Sequence, residues 1–252
     1  MGESGRYLYA VTRDLDEGAL DGVPGLSGGA LELVDHDGLV AVVSDVDLAE
    51  YGDEGLRQNL ERLDWLETAA RTHDAVIKAV ADVAPVAPMR LATIFLDDHS
   101  LRRRLTEWHH ALGQVLDRVE GRHEWSVKVL LPAPRTEEQA VEHPASGADY
   151  LLRKKATAER HAAREAETQK GAQDVHDALA ARSIASRVLP QQDPRLSGLT
   201  GSMLLNAAYL VARDDGAAFA RAAEACAREH EQLEVDVRGP WPPYSFAMLE
   251  QR

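Results

Sequence analysis

Residues 6–12, RYLYAVT, are rich in aromatic and β-branched side chains, a composition that predicts a strand. Two further apolar runs, 30–36 and 39–46, flank Asp37-Gly38. An Asp-Gly pair in that position predicts a β-hairpin, with Val40, Val42 and Val43 near its core. From Leu56 to Val83 the apolar period changes to 3.6, with Leu56, Leu60, Leu63, Leu66, Ala70, His73 and Val80 on one stripe. This is one helix or two, since Thr72 could cap a second segment; Pro85 and Pro88 end it. Met89 to Leu96 reads as another strand. Asp97, Asp98 and Ser100 offer N-cap chemistry for a helix carrying Leu101, Leu105, Trp108, Leu112, Leu116 and Val119 on one face, closed by Gly121. Glu124 to Leu131 is a further strand.

The first half therefore runs β, ββ, α, β, α, β. Short strands with helices gathered on one face predict an α+β sandwich close to ferredoxin-like, over residues 1–132. The polar, Pro-bearing stretch 133–147 reads as a linker, and 148–252 as a second α+β domain. That domain opens with a long helix, about Asp149 to Arg182, filled with alanine and charge. Lys155–Glu159 and His161–Glu165 sit at i,i+4 and Arg164–Glu167 at i,i+3, pairs that support a helix without a core. Some 30 helical residues span about 45 Å, so part of this helix is expected to project or to meet a partner. Strands at Ile184–Leu189 and Met203–Val211 follow. A helix over Asp214–Leu233 comes next, with Phe219, Ala222, Cys226, His230 and Leu233 inward, and then a short strand over Glu234–Val237.

Composition narrows the function classes. The 252 residues carry a net charge of -14, which disfavours nucleic acid and anionic membrane, both of which require a basic footprint. No apolar run approaches the roughly 20 residues of a membrane span, and MGESGRYLYAV shows no secretory signal. One cysteine, Cys226, excludes an internal disulfide and a multi-cysteine metal site, and a cytoplasmic setting is the simplest reading. No two of the ten histidines have the i,i+4 spacing of a helical metal site; His109 and His110 point to different faces. No P-loop and no S-x-x-K is present, and the glycine-rich 25–29 reads as a flexible loop. Glu124 and Lys128, four apart in a strand, share a face and read as a surface pair or a partner-facing charge pattern. Arg90 lies in an apolar stretch, so it must reach the sheet rim, pair with an acid, or meet a partner. No catalytic residue, metal site or cofactor is expected.

Near the C-terminal end, Gly239-Pro240-Trp241-Pro242-Pro243-Tyr244-Ser245-Phe246 sets three aromatics in a frame of proline and glycine. Neither a helix nor a central strand can run through it, so the segment is expected to be docked on its own chain or on a partner. This motif resembles the gas vesicle protein F/L family. Three more stretches resemble the same family in order: Tyr7-Leu8-Tyr9-Ala10-Val11, Leu39-Val40-Ala41-Val42-Val43-Ser44, and Pro88-Met89-Arg90-Leu91-Ala92-Thr93-Ile94-Phe95 with the later Glu124-Trp125-Ser126-Val127-Lys128-Val129. One departure stands out: the family usually has Phe-Gly where this chain has Leu91-Ala92.

The resemblance implies two α+β domains and a cytoplasmic, gas-vesicle-associated protein without enzymatic activity. It also implies an accessory role in assembly, through binding of the small hydrophobic shell protein and other accessory proteins. Arg90, Trp241, Tyr244 and Phe246 are the candidate partner contacts, with the long helix as a second surface. The alternative is that the aromatics simply pin the C-terminal segment across the second domain. A small-molecule-binding or regulatory α+β module is the competing reading.

Overall fold

The computed structural model describes residues 3–132, 147–191 and 201–248. The fold is α+β with two sheets, and the chain divides into two compact units. One comprises residues up to Glu124 together with those from Pro240 onward; the other is Trp125–Gly239. The division thus differs from the expected 1–132 and 148–252, because the proline-aromatic segment packs with the first unit. Most of the expected linker, 133–146, lies outside the described residues.

The first sheet is built on β1 (Ser4–Thr12), with the hairpin β2 (Glu32–His36) and β3 (Leu39–Asp47) on one side. Asp37 and Gly38 both have positive φ, 49° and 77°, as the tight hairpin turn requires. On the other side of β1, the expected strand 89–96 is reduced to the two residues of β5 (Ile94–Phe95), and a second short strand, β4 (Ala87–Pro88), pairs with β1 just before it. Between them Arg90–Thr93 turns outward, and the Thr93 N–H and hydroxyl both donate to the Arg90 carbonyl. The strand order 2-3-1-4 is the ferredoxin-like one, but the helices cover both faces of the sheet rather than one.

A bulge in β1 explains how both faces are filled. The register slips between Leu8 and Ala10, which leaves consecutive Tyr9 and Ala10 on the same face. That face packs on α3 (Leu63–Val83) through Val76, Ile77 and Val80. The preceding short helices are α1 (Leu48–Tyr51) and α2 (Asp53–Asn59). The helical region is therefore divided near residues 60–62 and not at Thr72, whose hydroxyl donates to the Thr68 carbonyl within α3. Leu8, Val11, Ala41 and Val43 face α4 (Asp98–Val119). Asp97 and Ser100 form the expected capping box at its start. Leu101, Leu105, Leu112 and Leu116 are fully buried, each contributing roughly 1.5–3 kcal/mol. Arg6 ties these elements together, binding Glu32, Asp45 and Asp98 at 2.7, 2.8 and 2.7 Å. Its hydrogen bond to Glu32 leads the effects that hold the guanidinium above its ordinary pKa.

The second sheet has β7 (Ala185–Val188), β8 (Ser202–Ala212), β6 (Arg122–Leu131) and β9 (Glu234–Trp241) in that spatial order. With α5 (Gly147–Ala180) and α6 (Gly216–Glu229) the chain order is β6-α5-β7-β8-α6-β9, the split βαβ plan of ferredoxin-like folds. Both helices pack on one face: Val175 and Leu179 of α5, and Phe219 and Cys226 of α6, meet Val127, Val129, Ala207 and Tyr209. Pro240 is tolerated inside β9 because β9 is an edge strand. In α5 the side chains from Arg153 to Glu167 are all exposed, and burial begins at Thr168. That exposed stretch carries the Lys155–Glu159 pair at 3.9 Å.

Candidate functional site

A cavity of about 470 Å³ opens in the first unit, where α3, the 88–93 turn, α4 and the closing segment come together. Each wall has a local cause. The Arg90–Thr93 turn exists because Ala92 adopts φ 64°, which lets its N–H donate to the Tyr7 hydroxyl at 3.0 Å. The Tyr7 hydroxyl in turn lies 2.9 Å from Nδ1 of His73, while Nε2 of His73 lies 3.2 Å from the Met89 carbonyl. The satisfied arrangement has Nε2–H donating to Met89 and Nδ1 accepting from Tyr7, which makes the ring neutral. Burial lowers the His73 pKa and raises that of Tyr7 for the same reason: neither charge is solvated there. His73 is thus the satisfied inward histidine of the apolar stripe.

The closing segment forms the last wall. Tyr244 donates to Asp74 on α3, and burial first, then that carboxylate, pushes its phenol well above the ordinary range. Ser245 donates twice to Glu124, from its N–H and its hydroxyl, both at 2.7 Å. Glu124 is 7% exposed, so the expectation of a surface carboxylate there is corrected. Phe246 is 5% exposed and Ala247 joins the core beneath α4.

The four expected partner residues therefore separate. Arg90 and Tyr244 line the same cavity. Phe246 is inside, so it pins the segment and its ring is not available to a partner. Trp241, 42% exposed, lies on the surface away from the cavity lining. Arg90 is exposed, and among the described residues its guanidinium has no hydrogen-bond or ion-pair partner. Of the alternatives for Arg90, it reaches the rim.

No group of three or more potential metal ligands converges among the described residues. Cys226 is buried, and burial raises its pKa, which makes it a poor nucleophile. The loop Gly25-Leu26-Ser27-Gly28-Gly29 spells G-x-S-x-G, a pattern that marks a nucleophile when it joins a strand to a helix. Here it is a 3₁₀ turn anchored on the sheet, with Leu26 buried and its N–H donating to the Tyr9 hydroxyl at 2.7 Å. The Ser27 hydroxyl bonds the Tyr51 phenol, and no histidine attends it among the described contacts. These contacts tie the loop to the sheet. No helix in the described residues is long and apolar enough to cross a membrane.

Two ferredoxin-ordered sheets, a cavity with apolar walls and a pinned proline-aromatic segment describe an α+β protein. The sequence matches the family described as gas vesicle synthesis protein GvpL/GvpF over residues 5–248, and the chain belongs to that family. It is 40% identical to gas vesicle protein L of Streptomyces sp. (strain CB03234), covering 98% of this chain and 94% of that one. It is 28% identical to gas vesicle protein F2 of Halobacterium salinarum, covering 98% and 93%. The fold matches the crystal structure of GvpF from Anabaena sp. PCC7120 with a TM-score of 0.70 at 18% identity, covering 98% of both chains. The chain thus has a role in gas vesicles.

Proposed function

We propose that this protein is a non-enzymatic assembly factor that binds the hydrophobic gas vesicle shell protein, together with other accessory proteins, as vesicles form. A shell subunit with an apolar surface aggregates in water unless that surface is held. The observation that carries the reading is the cavity beside Arg90, at which apolar walls reach solvent in a chain of net charge -14. Acidic excess keeps the complex dispersed while a local apolar surface does the gripping. Trp241 and Tyr244 are the aromatic contacts of this reading, and the exposed half of α5 is a second surface. The protein is expected in the cytoplasm and on vesicles.

The competing small-molecule reading draws on the cavity volume, which lies within the roughly 300–1,000 Å³ usual for ligand pockets. Against it, the polar groups of the lining other than Arg90 are bonded to the protein: His73 to Tyr7 and Met89, Asp74 to Tyr244, and Thr93 to the Arg90 carbonyl. The test is deletion of the gene, with electron microscopy for vesicles and complementation by the wild type. Normal vesicles in the deletion strain would overturn the assembly role.

A further inference from the structure

We propose that the cavity of the first unit is the docking site for a segment of the shell protein that presents bulky apolar side chains beside a carboxylate. The proposal rests on the reading above and adds the place and the chemistry. Three observations carry it.

The walls suit side chains rather than a polar metabolite. Met89, Leu91, Trp108, Tyr244 and Met248 face the space, and Met248 is 55% exposed. Methionine is unbranched and adapts to the shape of an apolar partner, and Trp and Tyr are enriched where partners bind most strongly. His73, Asp74 and Thr93 are each hydrogen-bonded within the protein, which reduces the polar capacity left for a metabolite.

Of the charged side chains in the lining, Asp74 accepts from Tyr244, whereas Arg90 has no hydrogen-bond or ion-pair partner among the described residues. Arg90 sits at the head of a turn whose backbone is fixed by the Ala92–Tyr7 hydrogen bond and by the two donations from Thr93. A guanidinium held by a rigid turn at an apolar edge accepts a carboxylate with paired hydrogen bonds. Charge complementarity therefore selects an acidic residue next to the apolar anchors, even though the chain as a whole repels acid.

Finally, the cavity floor is stiff. Tyr244 is fixed through Asp74, and the adjoining Ser245 through Glu124, so the aromatic wall is preformed and little ordering cost falls on binding.

Two variants of the full chain separate the possibilities. Arg90→Glu reverses the rim charge, and Ala70→Trp fills the cavity from the half-buried lining position on α3. Both are checked for native circular dichroism. The first probe is 1-anilinonaphthalene-8-sulfonate, an apolar ring system carrying an anion. It is expected to bind the wild type one to one, and each variant is expected to weaken it at least tenfold. The second is capture of purified shell protein, with the same tenfold losses and with competition between the shell protein and the dye. A dye that shows no saturable site, or one indifferent to both variants, overturns the inference. Capture by wild type and variants alike overturns the docking site and leaves the assembly function standing. A wild type that captures no shell protein overturns both.

Discussion

Ala92→Gly should stabilise this protein, against the usual direction of an Ala-to-Gly change. Ala92 stands at φ 64°, where an L-residue with a Cβ is strained by roughly 1–2 kcal/mol. Two losses oppose the relief. The more flexible unfolded glycine costs roughly 0.4–1 kcal/mol, and the half-buried methyl is worth a fraction of the roughly 0.8 kcal/mol of a fully buried one. The central figures leave a net gain of about 0.5 kcal/mol. The Ala92 N–H that donates to Tyr7 is retained in glycine, so the hydrogen-bond chain through His73 is untouched. Urea unfolding of the full chain reads the result: the midpoint should rise by roughly 0.2–0.5 M with an unchanged slope. Ala92→Val is the counterpart, since a β-branched residue at this φ is a genuine outlier and should cost roughly 1–3 kcal/mol. If glycine lowers the midpoint, or valine leaves it unmoved, the account of this turn is wrong.

Ser245→Ala removes one of two donations to a buried carboxylate, which should cost roughly 1.5–3 kcal/mol, a fall in Tm of about 3–12 °C. Hydrogen exchange over 242–248 should quicken at the same time, and a Tm within about 1 °C of wild type would count against the latch. Because burial lowers the His73 pKa, below the ordinary 6.5 the unfolded chain takes up a proton that the folded chain refuses. Stability should therefore be full above pH 6.5 and decline as pH falls through the window down to the lowered value, and His73→Gln should flatten that part of the profile. Ala158→Pro breaks the exposed half of α5, so far-UV circular dichroism should lose helix while Tm stays within about 2 °C; a larger fall would mean that this half is supported by packing.

What was legible in the sequence was local. The Asp37-Gly38 turn, the Asp97/Ser100 cap and the Leu stripe of α4 each fix their own backbone from neighbours fewer than about ten residues away. The run Met89–Leu96 misled because apolar composition does not reveal that β1 pairs with Ala87–Pro88 before it and with Ile94–Phe95 near its end, while Arg90–Thr93 turns away between them. Thr72 was a plausible cap, yet a threonine can satisfy itself against the i−4 carbonyl inside a helix, and this one does. The site was legible only in its letters. Arg90 and Tyr244 could be picked out as odd residues, but their meeting depends on contacts such as Tyr244 to Asp74, 170 positions apart. Glu124 looked like a surface acid because its burial is caused by Ser245, 121 positions later. The usual Phe-Gly of the family, departed from at Leu91-Ala92, was a signal of the left-handed turn that only the backbone made readable.

The residues from 125 to 239 interrupt a body that is completed only by Tyr244, Ser245 and Ala247. During synthesis the ribosome must therefore deliver the whole interruption before the earlier-made sheet receives its final wall. Until then the apolar space under Trp108 stands open to any greasy polypeptide made nearby. Timing of translation thus decides when this fold is first complete.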